Sequence, residues 1–296
     1  VKGDVKGGNN MLFTEGQQHF KKYMIYHEMS PETVKGYMKD LRCFNQFITD
    51  RYNSLVYVED ITVEDVEEYM YYLVDERELA PRSRNRYLFS LRSFFNYAVK
   101  KQWVERNVAA EVDPVKVMEE KKVALTKEEI EELLDAIDHP IIHFAVALMS
   151  YSGMRVIEAK GLKMSDIDFE RNRFLVNGKG RRQRYVPIAK ALKPYLDDYL
   201  NNIRVDVDSD YVLATTKTGR LSAGYINLVL HKATEKLGWD KTVTCHTLRR
   251  SFATNLLREG VDVFAISKLL GHKSLKTTTL YLQLNENELQ TAVDKL

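Results

Sequence analysis

Apolar positions recur at helical spacing through most of this chain, and the period changes at one place. Val34, Tyr37, Met38, Leu41, Phe44 and Ile48 fall three or four residues apart, the buried stripe of a helix. Ser30 stands where an N-cap belongs, with Pro31 at the first helical position. Thr62 heads "VEDVEEYMYYLVDE", whose acids crowd the first turn, where the helix dipole favours them. "PRSRNRYLFSLRSFFNYAVKKQW" repeats the pattern, with Leu88, Leu91, Phe95 and Val99 inward and its arginines and Lys100 largely outward. With a segment near residues 12–28, the pattern predicts about four helices in the first hundred residues.

Pro114 and the charge run that follows it mark a linker over 112–124, after which Thr126 caps a new helix. The apolar segment from Ile141 continues the helical reading. Then Arg173–Asn177 and Arg184–Ile188 form two β-prone runs around "GKGRRQ", a hairpin with a basic connection. Helices resume near 190–200, 222–237, 246–258 and 262–270, and a last one carries "LKTTTLYLQL". The expected fold class is mainly α with a small β-hairpin. It comprises a leader over 1–11, a helical domain over 12–111, the linker, a mixed α/β domain over 125–282 and a tail over 283–296.

The longest apolar window, "IIHFAVALM", is too short to span a membrane. "VKGDVKGGNN" lacks the apolar run of a signal peptide and reads as a disordered leader. Two cysteines, Cys43 and Cys245, form neither a disulfide framework nor a zinc pattern, which suits a reducing, cytoplasmic setting. Net charge is only +2, but the charges are segregated. Residues 59–78 hold nine acids against Arg77; residues 171–193 hold eight bases and no acid. Residues 82–106 hold seven bases, Arg82, Arg84 and Arg86 among them, against Glu105. Separated basic faces can bind a polyanion without a high isoelectric point.

"TCHTLRRSFATNLL" raises the chemical question. Leu248, Phe252 and Leu256 recur every four residues and face a core, while His246, Arg249 and Arg250 take the other side of the first turn. Cations there oppose the helix dipole, so an anion is expected opposite them. Arg155 follows "YSGM", with Glu158 one turn on to hold its guanidinium. Lys179 sits between two glycines in the hairpin connection, with Arg181 and Arg182 as close rivals for its role. His272 follows the helix-ending Gly271, and Tyr281 lies three residues beyond Thr278.

Two arginines, two histidines, a lysine and a tyrosine, with no carboxylate cluster to hold a metal, suit a phosphate. Guanidiniums grip it through paired hydrogen bonds. A phenol attacking a phosphodiester creates extra negative charge that fixed cations can neutralise. An ammonium can protonate the departing sugar oxygen. The resulting phosphotyrosine would store the diester bond, so that resealing needs no ATP.

Taken in order, "SGMRVIEA", "NGKG", "HTLRRSFATNLL", "LLGH" and "TTTLY" resemble the tyrosine recombinase family, the phage-integrase and Xer-type site-specific recombinases. The match spans most of residues 126–282, and the N-terminal helices are similar to that family's core-binding domain. The resemblance implies catalytic Arg155, Lys179, His246, Arg249 and His272, with Tyr281 as nucleophile nine residues beyond His272 and Glu158 in support. Ser152 departs mildly, since many members carry Thr there. It further implies a C-shaped clamp on double-stranded DNA, a tetramer exchanging strands through a Holliday junction, no metal or nucleotide cofactor, and a protein activator as a further partner. Arg82, Arg84, Arg86, Arg181, Arg182 and Arg250 are the expected DNA-binding residues. Relaxation of type IB topoisomerase kind, and DNA binding without catalysis, stay open as alternatives. Taken singly, each residue has an ordinary reading: a helix pair for Arg155 and Glu158, a packed ring for Tyr281, a solvated turn for Lys179. His139 and His143 are four apart, but Pro140 between them and the want of a carboxylate speak against a metal.

Overall fold

Side-chain caps set several helix starts in the computed structural model, which describes residues 11–118, 123–178, 183–216, 219 and 221–272. The chain divides into two compact units, Val1–Glu120 and Lys121–Leu296. In the first, α1 (Phe13–Tyr26), α2 (Pro31–Tyr52), α3 (Val63–Asp75) and α4 (Pro81–Lys100) enclose one core. Ser30 Oγ accepts from the Thr33 amide, and Thr62 and Asp65 form a reciprocal capping box. The α2 stripe is buried as its spacing predicts, Tyr37 only partly. Phe13 packs edge-on against Phe44 and Phe94. A Cβ at Gly16 would stand 3.1 Å from Phe94, so the glycine permits this close approach of α1 to α4.

Two details of α4 differ from the sequence reading. Val99 is only half-buried, and Phe94, Tyr97 and Ala98 complete the inner face instead. Its arginines are not uniformly solvated either. Arg92 donates to the carbonyls of Ala109 and Val112, and Arg86 pairs with buried Asp40 at 2.5 Å. The 112–124 stretch is held on the first unit at Val115, and Leu125 just beyond it is held on the second. Asn85 clamps Val115 through both backbone groups, while Ser251 and Asn255 hold Leu125.

The second unit is built around α6 (Pro140–Ser152), buried on nearly all sides, as an apolar helix must be. Around it lie α5 (Lys127–Asp135), α7 (Val156–Gly161), α8 (Lys193–Asp198), α9 (Ala223–Lys236), α10 (Cys245–Arg258) and α11 (Val263–Leu270). Thr126 with Glu129, and Thr244 with Thr247, make capping boxes that start α5 and α10. An antiparallel sheet, β1 (Ile167–Asp168), β2 (Arg173–Asn177) and β3 (Gln183–Pro187), covers one side. The hairpin thus starts β3 one residue earlier than its alternation suggested, and β1 is an addition too short to show a period. Phe174 opposite Val186 and Val176 opposite Arg184 face inward; on the outer face Arg173 stacks on Tyr185 at 3.7 Å. Among the described residues no helix is long and apolar enough to cross a membrane. Residues 1–10 of the 1–11 leader, the last expected helix and the tail lie outside the described residues.

Candidate active site

Gly153 ends α6 in the left-handed region at φ 64°, where a Cβ would meet Phe252 at 2.4 Å. The turn it makes delivers Arg155 to the N-cap of α7. Ser152 uses its buried hydroxyl inside this turn, donating to the Leu148 carbonyl and accepting from the Met154 amide. Glu158 reaches back to the Arg155 amide at 2.8 Å and to its guanidinium at 2.9 Å. Its carboxylate is only 3% exposed, whereas the Arg155 side chain is 43% exposed and presents its charge outward.

Arg249 overturns the helical-wheel expectation. It does not lie on the solvent side of α10; its side chain is 1% exposed. The buried arc of α10 is wide, running through Cys245, Thr247, Leu248, Ser251 and Ala253, and Arg249 falls within it. Burying an uncompensated guanidinium costs several kcal/mol. Here Nη1 donates to the Gly153 carbonyl at 2.7 Å and Nη2 to the Leu270 carbonyl at 2.6 Å. Glu158 stands 3.6 Å away. The expected opposing charge is therefore met in part from within: the cation that opposes the α10 dipole sits against the carbonyl ends of α6 and α11, where the dipoles favour it.

His272 joins the same group. Gly271 at φ 65° ends α11, and the His272 amide returns to the Ser267 carbonyl at 3.1 Å, a Schellman closure that fixes the imidazole's position. Nε2 lies 3.0 Å from Arg249 Nη2. Arginine offers no acceptor, so Nε2 accepts and the neutral ring carries its proton on Nδ1. Burial, with the charges of Arg249, Arg155 and Arg184, pushes the His272 pKa down to about 4. Burial pushes the Glu158 carboxyl up, but the Arg184 hydrogen bond, the Arg155 amide and the charges of Arg184 and Arg249 prevail and hold it below its ordinary value.

The structure thus gathers Arg155, Glu158, Arg249 and His272 and adds one residue that the sequence reading did not single out. Arg184 donates through both terminal nitrogens to Glu158, at 3.0 and 2.9 Å. Its parity with Val186 and Ile188 was the available signal, since it places a base on an inward-facing strand position. His246 is exposed in the first turn of α10, three residues before Arg249. Lys179, Arg181, Arg182 and Tyr281 lie outside the described residues. Of the other expected DNA contacts, Arg82 is exposed, Arg84 half-buried, Arg86 paired with Asp40, and Arg250 donates to the Val123 carbonyl. His139 and His143 pack on different rings, Tyr225 and Tyr195.

Three guanidiniums around one ionised carboxylate, beside a neutral imidazole, leave two positive charges uncompensated. A phosphodiester carries one negative charge and its pentavalent transition state two, so this surplus is of the size such a group would neutralise. The profile of the phage integrase family matches residues 124–288, and that of the phage integrase N-terminal SAM-like domain matches residues 17–105. The chain belongs to this family, the tyrosine recombinases, and is a site-specific recombinase that cleaves and rejoins DNA strands. Tyrosine recombinase XerC of Oceanobacillus iheyensis is 32% identical over 288 residues, covering 93% of each chain. XerC of Halalkalibacterium halodurans is 32% identical over 294 residues, covering 93% of this chain and 96% of its own. The XerA recombinase crystal structure gives a TM-score of 0.54 at 27% identity, over 95% of this chain and 98% of that one. A lambda integrase dimer bound to a COC′ core site gives 0.77 at 19% identity, over 94% and 79%. A lambda integrase tetramer bound to a Holliday junction gives 0.75 at 21% identity, over 91% and 80%.

Proposed function

We propose that Tyr281 attacks a scissile phosphodiester held by Arg155 and Arg249. The phenol gives up its proton to solvent and its oxygen bonds to phosphorus as the bond to the 5′ oxygen breaks, leaving a 3′-phosphotyrosine. Lys179 gives its proton to the departing 5′ oxygen, and His246 and His272 hydrogen-bond the phosphoryl oxygens. Attack of a 5′ hydroxyl from another strand reverses the step and reseals the backbone. The observation that carries this reading is the convergence of Arg155 and Arg249, from different helices, on Glu158 and the Leu270 carbonyl beside His272.

On this reading the helical unit over 12–111 and the catalytic unit over 125–282 close around double-stranded DNA. Arg82, Arg84, Arg86, Arg181, Arg182 and Arg250 supply phosphate contacts. Four copies exchange strands between two sites in the cytoplasm, in the manner that the lambda integrase tetramer suggests, and the tail over 283–296 packs on a neighbouring copy. Covalent trapping tests the chemistry. The protein is mixed with genomic fragments carrying random nicks and quenched in detergent, and DNA that stays attached until protease treatment is recovered. Adducts with wild type and none with Tyr281→Phe are expected, and sequencing them identifies the target. Tight, salt-sensitive binding without any adduct would overturn the catalytic reading.

A further inference from the structure

On an inward-facing position of β3, where strand alternation calls for an apolar side chain, stands Arg184, 12% exposed. All three nitrogens of its guanidinium donate to two other elements. Nη1 and Nη2 clasp both oxygens of Glu158, at 3.0 and 2.9 Å, and Nε donates to the Leu269 carbonyl at 2.7 Å. It also lies flat against the turn that ends α11: a Cβ on Gly271 would stand 3.0 Å from Arg184 Cδ and 3.1 Å from Nη1. Gly271 is left-handed and immediately precedes His272. One planar fork therefore joins the hairpin strand that follows the Lys179 connection, the carboxylate that orients Arg155, and the helix end that sets His272.

We propose that Arg184 is a positioning residue for strand cleavage, holding Glu158 and the α11 terminus in register so that Arg155, Arg249 and His272 meet one phosphate. This rests on the recombinase chemistry proposed above. Arg184 itself is too enclosed to grip DNA, and each of its guanidinium nitrogens already donates to a protein group. Lysine cannot replace it, because a single ammonium cannot hold two carboxylate oxygens and a carbonyl in one plane.

The test is single-turnover cleavage of a nicked duplex bearing the sequence recovered by covalent trapping, with wild type, Arg184→Lys and Arg184→Met. Folding of each is checked by its urea midpoint. Both variants are expected to bind this duplex with unchanged affinity and salt dependence, since phosphate contacts at the surface set those. Both are expected to form the phosphotyrosine adduct about 100-fold more slowly, the scale of an ångström-sized misplacement of reacting groups. In Arg184→Met the His272 imidazole is further expected to titrate nearer its ordinary value, whereas Arg184→Lys, which keeps a positive charge there, holds it lower. If Arg184→Met does not fold, Arg184→Lys decides alone. Adduct formation at the wild-type rate in a folded variant overturns the positioning role and leaves the chemistry intact. Absence of adduct in wild type overturns the chemistry itself.

Discussion

Replacing Glu158 by glutamine removes one negative charge from the centre of three guanidiniums while keeping the side chain's shape. The carboxylate accepts four hydrogen bonds, from the Arg155 amide and guanidinium and from both terminal nitrogens of Arg184. The single amide oxygen of glutamine can keep about half of them, and its NH₂ then faces guanidinium N–H groups. Hydrogen bonds to charged groups are worth about 1.5–3 kcal/mol each, and breaking a buried ion pair on one side costs about 3–5 kcal/mol. Because Arg155 can turn to water, the lower end applies, about 3 kcal/mol for the second unit. For a unit of this size that lowers its melting temperature by roughly 6–12 °C. Trp103 lies in the first unit and Trp239 in the second, so urea unfolding followed by fluorescence in a Trp103→Phe background reports the second unit alone. A loss below about 1 kcal/mol, the range of an exposed pair, refutes the reasoning.

Gly153→Ala should destabilise the second unit by at least about 2 kcal/mol, because a left-handed residue gains a Cβ that meets Phe252 at 2.4 Å; thermal unfolding measures it. His272 should stay neutral from pH 8 down to about pH 5, since its pKa is depressed to about 4. The sign follows: as pH falls below about 6.5 the unfolded chain takes up a proton that the native ring refuses, so stability falls toward pH 4. Imidazole NMR shifts check this, and a midpoint near 6.5 sinks it. Cys245 is buried with its thiol pushed up to about 11 by burial, whereas Cys43 is half-buried. Alkylation near pH 8, read by mass spectrometry, should therefore mark Cys43 first and Cys245 only on unfolding.

Helix existence was legible wherever a cap and a stripe coincided. Ser30, Thr62 and Thr126 each begin a helix whose apolar spacing agrees, and each accepts the expected amide. The two-residue strand β1 was not legible, because two residues carry no period. Within the site, Arg155 with Glu158 could be read locally, since one helical turn joins them. Arg249 could be assigned a chemistry but not a burial: Phe252 and Leu256 are only partly covered, and the arc that is covered includes a guanidinium. Spacing alone cannot reveal that distant carbonyls, Gly153 and Leu270, stand ready to receive it. Arg184 was hidden for a related reason. In a run of eight bases it looked like one more surface charge, and only the strand pairing turns it inward.

Arg249 ties the last turns of two helices together, so a descendant that kept only DNA binding would still need Arg249 for a folded protein. In such descendants the buried arginine and Glu158 should persist where residues that serve the chemistry alone are free to change. In surveys of genomes, then, the arginines alone count such binders together with working enzymes.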